Sequence, residues 1–465
     1  MFLGRDRELA ELNRLYAQDR FQCFVLYGRR RVGKTTLLNA FCRDKDAIFF
    51  AAEVSNDTRN LAKFSQVVQE HYHEEDMAPF ASWVNAWSHI VTQQQGRPLV
   101  LVMDEFPYLA DKNPEILSNL QHFIDHHLQD SRIFLILCGS YVGFMEREVL
   151  GQKSPLFGRR TGQLLLKPLD YLRSRLFLPG FTQEEQLMIY GAVGGTPLYL
   201  SRIDNTRSLH DNIVDVFLRP VSYFYDEPLF LLREELQEPS VYNAILEAIA
   251  RGASRANEIA TRIGEPPAKC LKYIKTLRDL DIVYKEKPLG ERETSRRTLY
   301  GIADHLFRFW YRYVFGNKTL LETNAWEVVW KRIIQPDYST YMGLVFEQVC
   351  RSYLLQQNAQ GQLPLLITQL GRWWGTDSHT HQQVEIDLAG TGGTQYLFAE
   401  CKWRNEPMPM SVLETLKHRA DIYRRQRGET WWYLFSKSGF TPALQKTAAV
   451  DEHVVLCDLA EIMQL

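Results

Sequence analysis

Three apolar runs, Phe21–Tyr27 (FQCFVLY, broken only by Gln22), Pro98–Met103 and Ile133–Cys138, punctuate the first third of the chain. Residues apolar at successive rather than alternate positions predict strands buried on both faces, as in a parallel sheet. Thr36-Leu-Leu-Asn-Ala-Phe, behind the first run, has helical character. From Val241 the texture changes to short amphipathic helices: Tyr242–Ala250, then 255–263 with Ser254 as expected N-cap, then Ala268–Leu280, opened by Pro266-Pro267. In the last of these, Lys269, Lys272 and Lys275 fall on one face and Leu271, Ile274 and Leu277 on another. Strands Ile282–Lys287 and Thr298–Ile302 follow, joined by a polar, Gly-containing segment. The aromatic stretch 305–315 reads as a packing helix in preference to a stacking platform for bases. Further on come a helix around Tyr341–Cys350, a strand Val384–Ala389, a Gly-rich turn Gly390–Thr394 and a return strand Gln395–Trp403.

A length of 465 residues predicts about three domains at roughly 150 residues each. Apolar residues at 45% and charged residues at 24% exclude disorder as the main state. The 54 Lys+Arg against 56 Asp+Glu leave a net charge of -2, so any nucleic-acid contact must come from local patches. Residues 241–300 are such a patch, with 12 Lys+Arg less 8 Asp+Glu giving +4. Three short helices followed by two strands is also the order of a winged helix-turn-helix, which contacts DNA or, alternatively, another protein surface. The charged start lacks an apolar core, so no secretory signal is expected. The apolar runs are too short to span a bilayer, so no membrane is expected as a partner. Seven widely spaced cysteines without a Cys-x-x-Cys pair suit a reducing cytoplasm.

The run Phe21–Tyr27 ends in Gly28-Arg29-Arg30-Arg31-Val32-Gly33-Lys34-Thr35, a complete G-x-x-x-x-G-K-[ST] pattern, and Thr36 continues into a helix. Strand, loop and helix stand in the order a phosphate-binding loop needs. Glycines let backbone N–H groups converge on phosphates, and the helix N-terminus adds its dipole. Gly28 to Thr36 are therefore expected to bind ATP, Lys34 reaching the β- and γ-phosphates and the Thr35 hydroxyl ligating Mg²⁺. The run Pro98–Met103 delivers Asp104, expected beside Mg²⁺, and Glu105, expected to polarise the attacking water as general base. The third run leads to Ser140, a candidate γ-phosphate sensor. Arg159 and Arg160 are candidates to stabilise transition-state charge in this subunit or a neighbour's, which leaves a homo-oligomer open; an exposed arginine pair is otherwise merely solvated.

These pieces resemble the archaeal-type ATPase family, a branch of the AAA+/STAND P-loop ATPases. The resemblance rests on Phe2-Leu-Gly-Arg5-Asp-Arg-Glu8-Leu, the Tyr27–Thr35 loop, Met103-Asp-Glu-Phe-Pro-Tyr108, Cys138-Gly-Ser140 and Gly194-Gly-Thr-Pro197-Leu-Tyr, and runs from residue 1 to about 235. It implies that Arg5 lies near the nucleotide base and that Pro197 belongs to a small helical lid.

In the last third, Glu400 and Lys402 are two apart on a strand and so share a face, which Asp387 can reach across the hairpin. Two carboxylates can hold Mg²⁺, and a neighbouring lysine can orient water, the ingredients of phosphodiester hydrolysis. The pattern resembles the PD-(D/E)xK superfamily of restriction-endonuclease-like folds. The likeness implies Asp387 and Glu400 as metal ligands, Lys402 as the water-positioning residue and Glu347 as the helical acid of the first motif. Glu385 is a weaker extra candidate, and Ile386 stands where a proline would precede Asp387. Gly371-Arg-Trp-Trp374 also resembles the C-terminal domain that the archaeal-type ATPases often carry. The i,i+4 histidines His122 and His126, with His127, read better as a solvated helix face than as metal ligands, whereas His379 and His381 fit phosphate contact and a polar loop equally well.

The expected architecture is α/β: a P-loop AAA+-type core over 1–170, a helical lid over 171–239, a winged helix-turn-helix over 240–305, a helical linker over 306–334, and an α/β restriction-endonuclease-like domain over 335–465. The expected function is ATP-driven processing of DNA. The rival is an ATP-dependent regulatory switch whose nuclease-like domain is inert. An ATPase acting on proteins would leave Asp387, Glu400 and Lys402 unexplained.

Overall fold

Strands β1 (Gln22–Tyr27), β2 (Ala47–Ala51), β3 (Leu99–Asp104), β4 (Ile133–Gly139) and β5 (Gly162–Leu165) form a parallel sheet in the order β2-β3-β4-β1-β5. Every residue of β1, β3 and β4 is buried, which is why all three read as apolar runs. β2 and β5, at the sheet's edges, are short and partly exposed and leave no such run. The helix Lys34–Cys42 buries Leu37, Leu38 and Phe41 against Phe24, Val100 and Phe134. Because β4 lies between β1 and β3, the carboxyl ends of all three open on one edge, where ligands of parallel sheets bind. This computed structural model describes residues 2–74, 77–423 and 428–464.

The chain forms two compact units: residues up to Phe177 with Gly195–Ser201, and Leu178–Gly194 with Arg202–Leu465. The segment expected as a lid is thus divided, Gly195–Ser201 going with the sheet just described.

In the second unit, helices Pro239–Ala250, Ala256–Ile263 and Pro267–Asp279 precede the antiparallel hairpin of β6 (Val283–Glu286) and β7 (Leu299–Ile302). Two local expectations are corrected. Ser254 is not the N-cap: Arg255 holds that position, and Glu258 accepts from the backbone N–H groups of Ser254 and Arg255 at 3.0 and 3.1 Å. Leu271 is 42% exposed, so the buried stripe of its helix is Cys270, Ile274 and Leu277. The stretch 305–315 is a packing element: Phe307, Phe309, Trp310 and Tyr313 are buried, and Trp310 Nε1 donates to the Tyr225 carbonyl at 2.7 Å.

The C-terminal sheet has the order β12-β11-β10-β9-β8, from β8 (Gln369–Thr376), β9 (Gln383–Gly392), β10 (Gln395–Lys402), β11 (Thr430–Ser436) and β12 (Val454–Asp458). β8, β9 and β10 pair antiparallel, while β10, β11 and β12 run parallel. β9 continues through Gly392, so the turn is shorter than expected and centres on Gly393 at φ +65°. The helix Gln335–Ala359 lies against β9 and β10, and Met410–Tyr423 buries Leu413 and Leu416 with Ile386 and Phe398. Among the described residues, no helix is long and apolar enough to cross a membrane.

Candidate functional site

The loop after β1 wraps around a buried lysine. Lys34 Nζ donates to the carbonyls of Gly28 and Arg29 at 2.9 and 3.1 Å. A Cβ at Gly28 would lie 2.3 Å from the Leu166 carbonyl oxygen, so only glycine permits this approach of loop to sheet. Thr35 Oγ1 donates to Asp104 Oδ2 at 2.9 Å, which brings together the two side chains expected at Mg²⁺. The other oxygen of Asp104 accepts from the Glu105 N–H at 2.9 Å. Glu105 has the left-handed backbone conformation, φ +52°, rare for a residue with a side chain and concentrated at functional sites. Its carboxylate accepts from the Ser140 hydroxyl and from the Ser140 N–H at 3.3 Å. Ser140 therefore holds the candidate general base.

A cavity of about 430 Å³ opens here, lined by Arg30, Arg31, Val32, Gly33, Lys34, Thr35, Thr36, Glu105 and Ser140. A buried ammonium, an open helix N-terminus and a hydroxyl–carboxylate pair suit a nucleoside triphosphate with Mg²⁺. Arg5 lines the cavity as well and braces the loop, donating to the Val32 and Lys167 carbonyls at 3.0 and 2.6 Å. Pro197 lines it too, with Phe2 and Leu198 of the same two motifs, as does Phe177, which no sequence signal singled out. Arg30 and Arg31 donate to the hydroxyls of Tyr108 and Tyr199 at 2.7 and 3.3 Å. Arg159 and Arg160 do not line this cavity. Arg159 makes a bidentate pair with Asp125 at 3.1 and 2.9 Å, and Arg160 donates to the Leu150 carbonyl at 3.0 Å.

The second constellation lies on β9, β10 and the helix Gln335–Ala359. Lys402 Nζ sits 2.6 Å from Glu400 Oε1 and 3.7 Å from Asp387 Oδ2, so one ammonium bridges both carboxylates. Asp387 and Glu400 are 6% and 5% exposed, and Asp387 also accepts from the Cys401 N–H at 2.9 Å. Burial and the nearby Asp387 push Glu347 up to about 8, and the same two causes raise Glu400. Burial pulls the Lys402 ammonium down, but Asp387 and Glu400 outweigh it and hold it above its ordinary value. Arg419, from the helix Met410–Tyr423, reaches both Glu400 oxygens at 3.3 and 3.4 Å. It was missed in the sequence because nothing local ties that helix to β10. Glu385 pairs with Arg372 at 2.5 Å and adds to the charge that raises Glu347. Among the described residues, no three His, Cys, Asp or Glu side chains are gathered closely enough to hold a metal by themselves. Mg²⁺ seldom needs such a cage, since one or two carboxylates with water and substrate phosphates commonly suffice.

Residues 2–203 match a family described as an ATPase domain predominantly from Archaea, and residues 310–418 match archaeal and bacterial proteins of unknown function. The uncharacterized protein MJECL04 of Methanocaldococcus jannaschii is 30% identical over 429 residues, 92% of this chain and 92% of that protein. The uncharacterized ATP-binding protein MJ0423 of the same organism is 44% identical over 45 residues, 10% of this chain and 76% of that protein. The solved Walker-type ATPase PABY2304 of Pyrococcus abyssi is alike in fold, with a TM-score of 0.51 at 20% identity over 67% of this chain and 96% of that one. With its P-loop site and its C-terminal sheet, the chain belongs to the archaeal-type ATPase family, in which this ATPase domain is joined to that C-terminal domain.

Proposed function

We propose that this ATPase processes DNA, with the first unit binding and hydrolysing ATP and the C-terminal sheet cutting phosphodiester bonds with Mg²⁺. One observation carries the nuclease reading: Asp387, Glu400 and Lys402 meet on adjacent strands, with Glu347 electrostatically coupled to Asp387 from the neighbouring helix. Glu347 and Glu400 are raised by burial and by the nearby Asp387, a crowding of carboxylates that a divalent cation would relieve. Asp387 and Glu400 would hold the ion together with water and substrate phosphates, Glu347 would add its charge beside them, and Lys402 would orient the attacking water. In the first unit, Thr35 and Asp104 would share Mg²⁺, Lys34 would bind phosphates, and Glu105 would activate water. Arg159 or Arg160 would reach a nucleotide only on a neighbouring subunit, which is the reading a homo-oligomer would support.

The helices Pro239–Ala250 to Pro267–Asp279 with the β6–β7 hairpin support a winged helix, and exposed Lys269, Lys272 and Lys275 suit contact with DNA phosphates. A second reading, a regulatory switch with an inert C-terminal domain, is favoured by Lys402 and Arg419, which together neutralise Glu400 without a metal. The deciding experiment is cleavage of plasmid, linear and single-stranded DNA with Mg²⁺ or Mn²⁺, with and without ATP. Cleavage by the wild type that is lost in Lys402→Ala is expected. Intact ATP hydrolysis with no cleavage under any condition would transfer the assignment to the switch.

A further inference from the structure

A cleft of about 570 Å³ opens beside Asp387 in the second unit, with a shape that two carboxylates and a lysine do not explain. One wall is β6 and the segment that follows it to Glu291; the other comes from the helix Gln335–Ala359 and β8. The wing hairpin is not free, as it would be in an isolated DNA-reading module. The Leu289 N–H donates to the Arg372 carbonyl at 3.0 Å, and the Leu289 side chain packs on the core of the C-terminal sheet. Arg297 donates to the Trp374 carbonyl, and Arg372 lies between Glu286 at 4.0 Å and Glu385 at 2.5 Å. A wing held at these points is part of the cleft, not a probe for a DNA groove.

The cleft has an apolar wall and a mixed charged lining, in which Lys285, Lys287, Arg308, Arg351 and Arg372 stand against Glu286, Glu291, Glu347 and Asp387. Arg308 Nη1 and Arg372 Nε are buried and have no hydrogen-bond partner among the described residues. Buried donors without acceptors are costly, and a ligand rich in acceptor oxygens removes that cost. Arg351 is exposed on the same wall, one helical turn after Glu347. Tyr284 lines the cleft over Gly301, where a Cβ would come within 2.3 Å of the tyrosine ring, so the glycine makes room for it. An aromatic face among arginines is the usual means of holding an unpaired strand, bases stacked and phosphates paired. The volume is that of a small-molecule pocket, whereas a duplex presents a major groove about 12 Å wide.

We propose that this cleft binds a single nucleic-acid strand, its phosphates on Arg308, Arg351 and Arg372 and a base on Tyr284, with the wing serving as the cleft's wall. Only the fate of the bound strand rests on the nuclease reading; binding itself does not.

The test is fluorescence anisotropy of the full chain with a short fluorescein-labelled single strand and with the same sequence as a blunt duplex, in EDTA so that nothing is cut. The single strand is expected to bind more tightly than the duplex. Arg351→Ala should weaken it about tenfold and make the slope of log affinity against log salt shallower by about 0.7. Tyr284→Leu should weaken it about fivefold or more. Lys272→Ala should affect the duplex alone, and an unchanged thermal melt of Arg351→Ala would report an intact fold. Duplex binding as tight as single-strand binding would overturn the proposal, as would single-strand binding unaltered in both Arg351→Ala and Tyr284→Leu. Equal competition by a mononucleotide would overturn it too, marking a nucleotide pocket. Strand binding without cleavage in Mg²⁺ would remove the nuclease reading and leave the cleft standing. Cleavage that survives Arg351→Ala, with binding unchanged, would do the reverse.

Discussion

Lys34 is a charged side chain held almost out of water by two loop carbonyls, an arrangement that makes sense where phosphate oxygens complete its coordination. Lys34→Ala is therefore expected to abolish ATP turnover, read as phosphate release; undiminished release would place the nucleotide elsewhere. Glu105→Gln keeps the shape of the site but removes the carboxylate proposed as base, so ATP should still bind while hydrolysis falls about 10²- to 10⁴-fold. Glu347 supplies a pH signature. Its pKa is raised from 4.5 to about 8, so the fold holds a proton that the unfolded chain releases, and the stability due to that proton is lost as pH rises through this window. Thermal melts across about pH 5 to 8 should show this decline, and Glu347→Gln should flatten it. Mg²⁺ requires the ionised form, so its stabilising shift should grow toward the upper end of the same window. A Mg²⁺ shift that is independent of pH would separate Glu347 from the cation. Lys34, Thr35 and Asp104 were legible in the sequence because a contiguous loop and a strand end define them. Arg419 and Arg372 were not legible as site residues, because their partners come from other elements.

At the scale of elements, periodicity served well where burial is complete and poorly where it is partial. β1, β3 and β4 follow the apolar runs almost residue for residue, while the edge strands β2 and β5 carry no comparable signal. Helical spacing located Pro267–Asp279 but misassigned Leu271, because spacing alone does not say which side of a helix meets the core. Ser254 had the right chemistry for a cap, yet its carbonyl is taken by the Tyr300 N–H at 2.7 Å and the helix starts later. The segment between β6 and β7 is tied to the C-terminal sheet, the Leu289 N–H donating to the Arg372 carbonyl at 3.0 Å. Because Leu289 packs on the C-terminal core, Leu289→Ala should cost about 1–2 kcal/mol. It should lower one shared unfolding transition of the three-helix segment and the C-terminal sheet, followed by calorimetry. Two separate transitions, with only one displaced, would show that the wing contact carries no coupling.

Over the whole molecule, what local sequence encodes differs from what tertiary packing adds. The parallel sheet, its phosphate-binding loop, the acidic pair after β3 and the Asp387/Glu400/Lys402 hairpin were determined by sequence alone. Each depends on local spacing: consecutive apolar residues, a glycine pattern, or the two-residue period of a strand. Tertiary structure decided the rest. Only the fold could show that Ser140 holds Glu105, that Arg5 braces the loop through Val32, and that Arg419 shares Glu400 with Lys402. It alone divided the expected lid and joined the segment between β6 and β7 to β8 beside a cleft. The physical reason is the same in each case. Hydrogen bonds and ion pairs between residues distant in sequence depend on strand order and packing, and neither is written in any local run of residues.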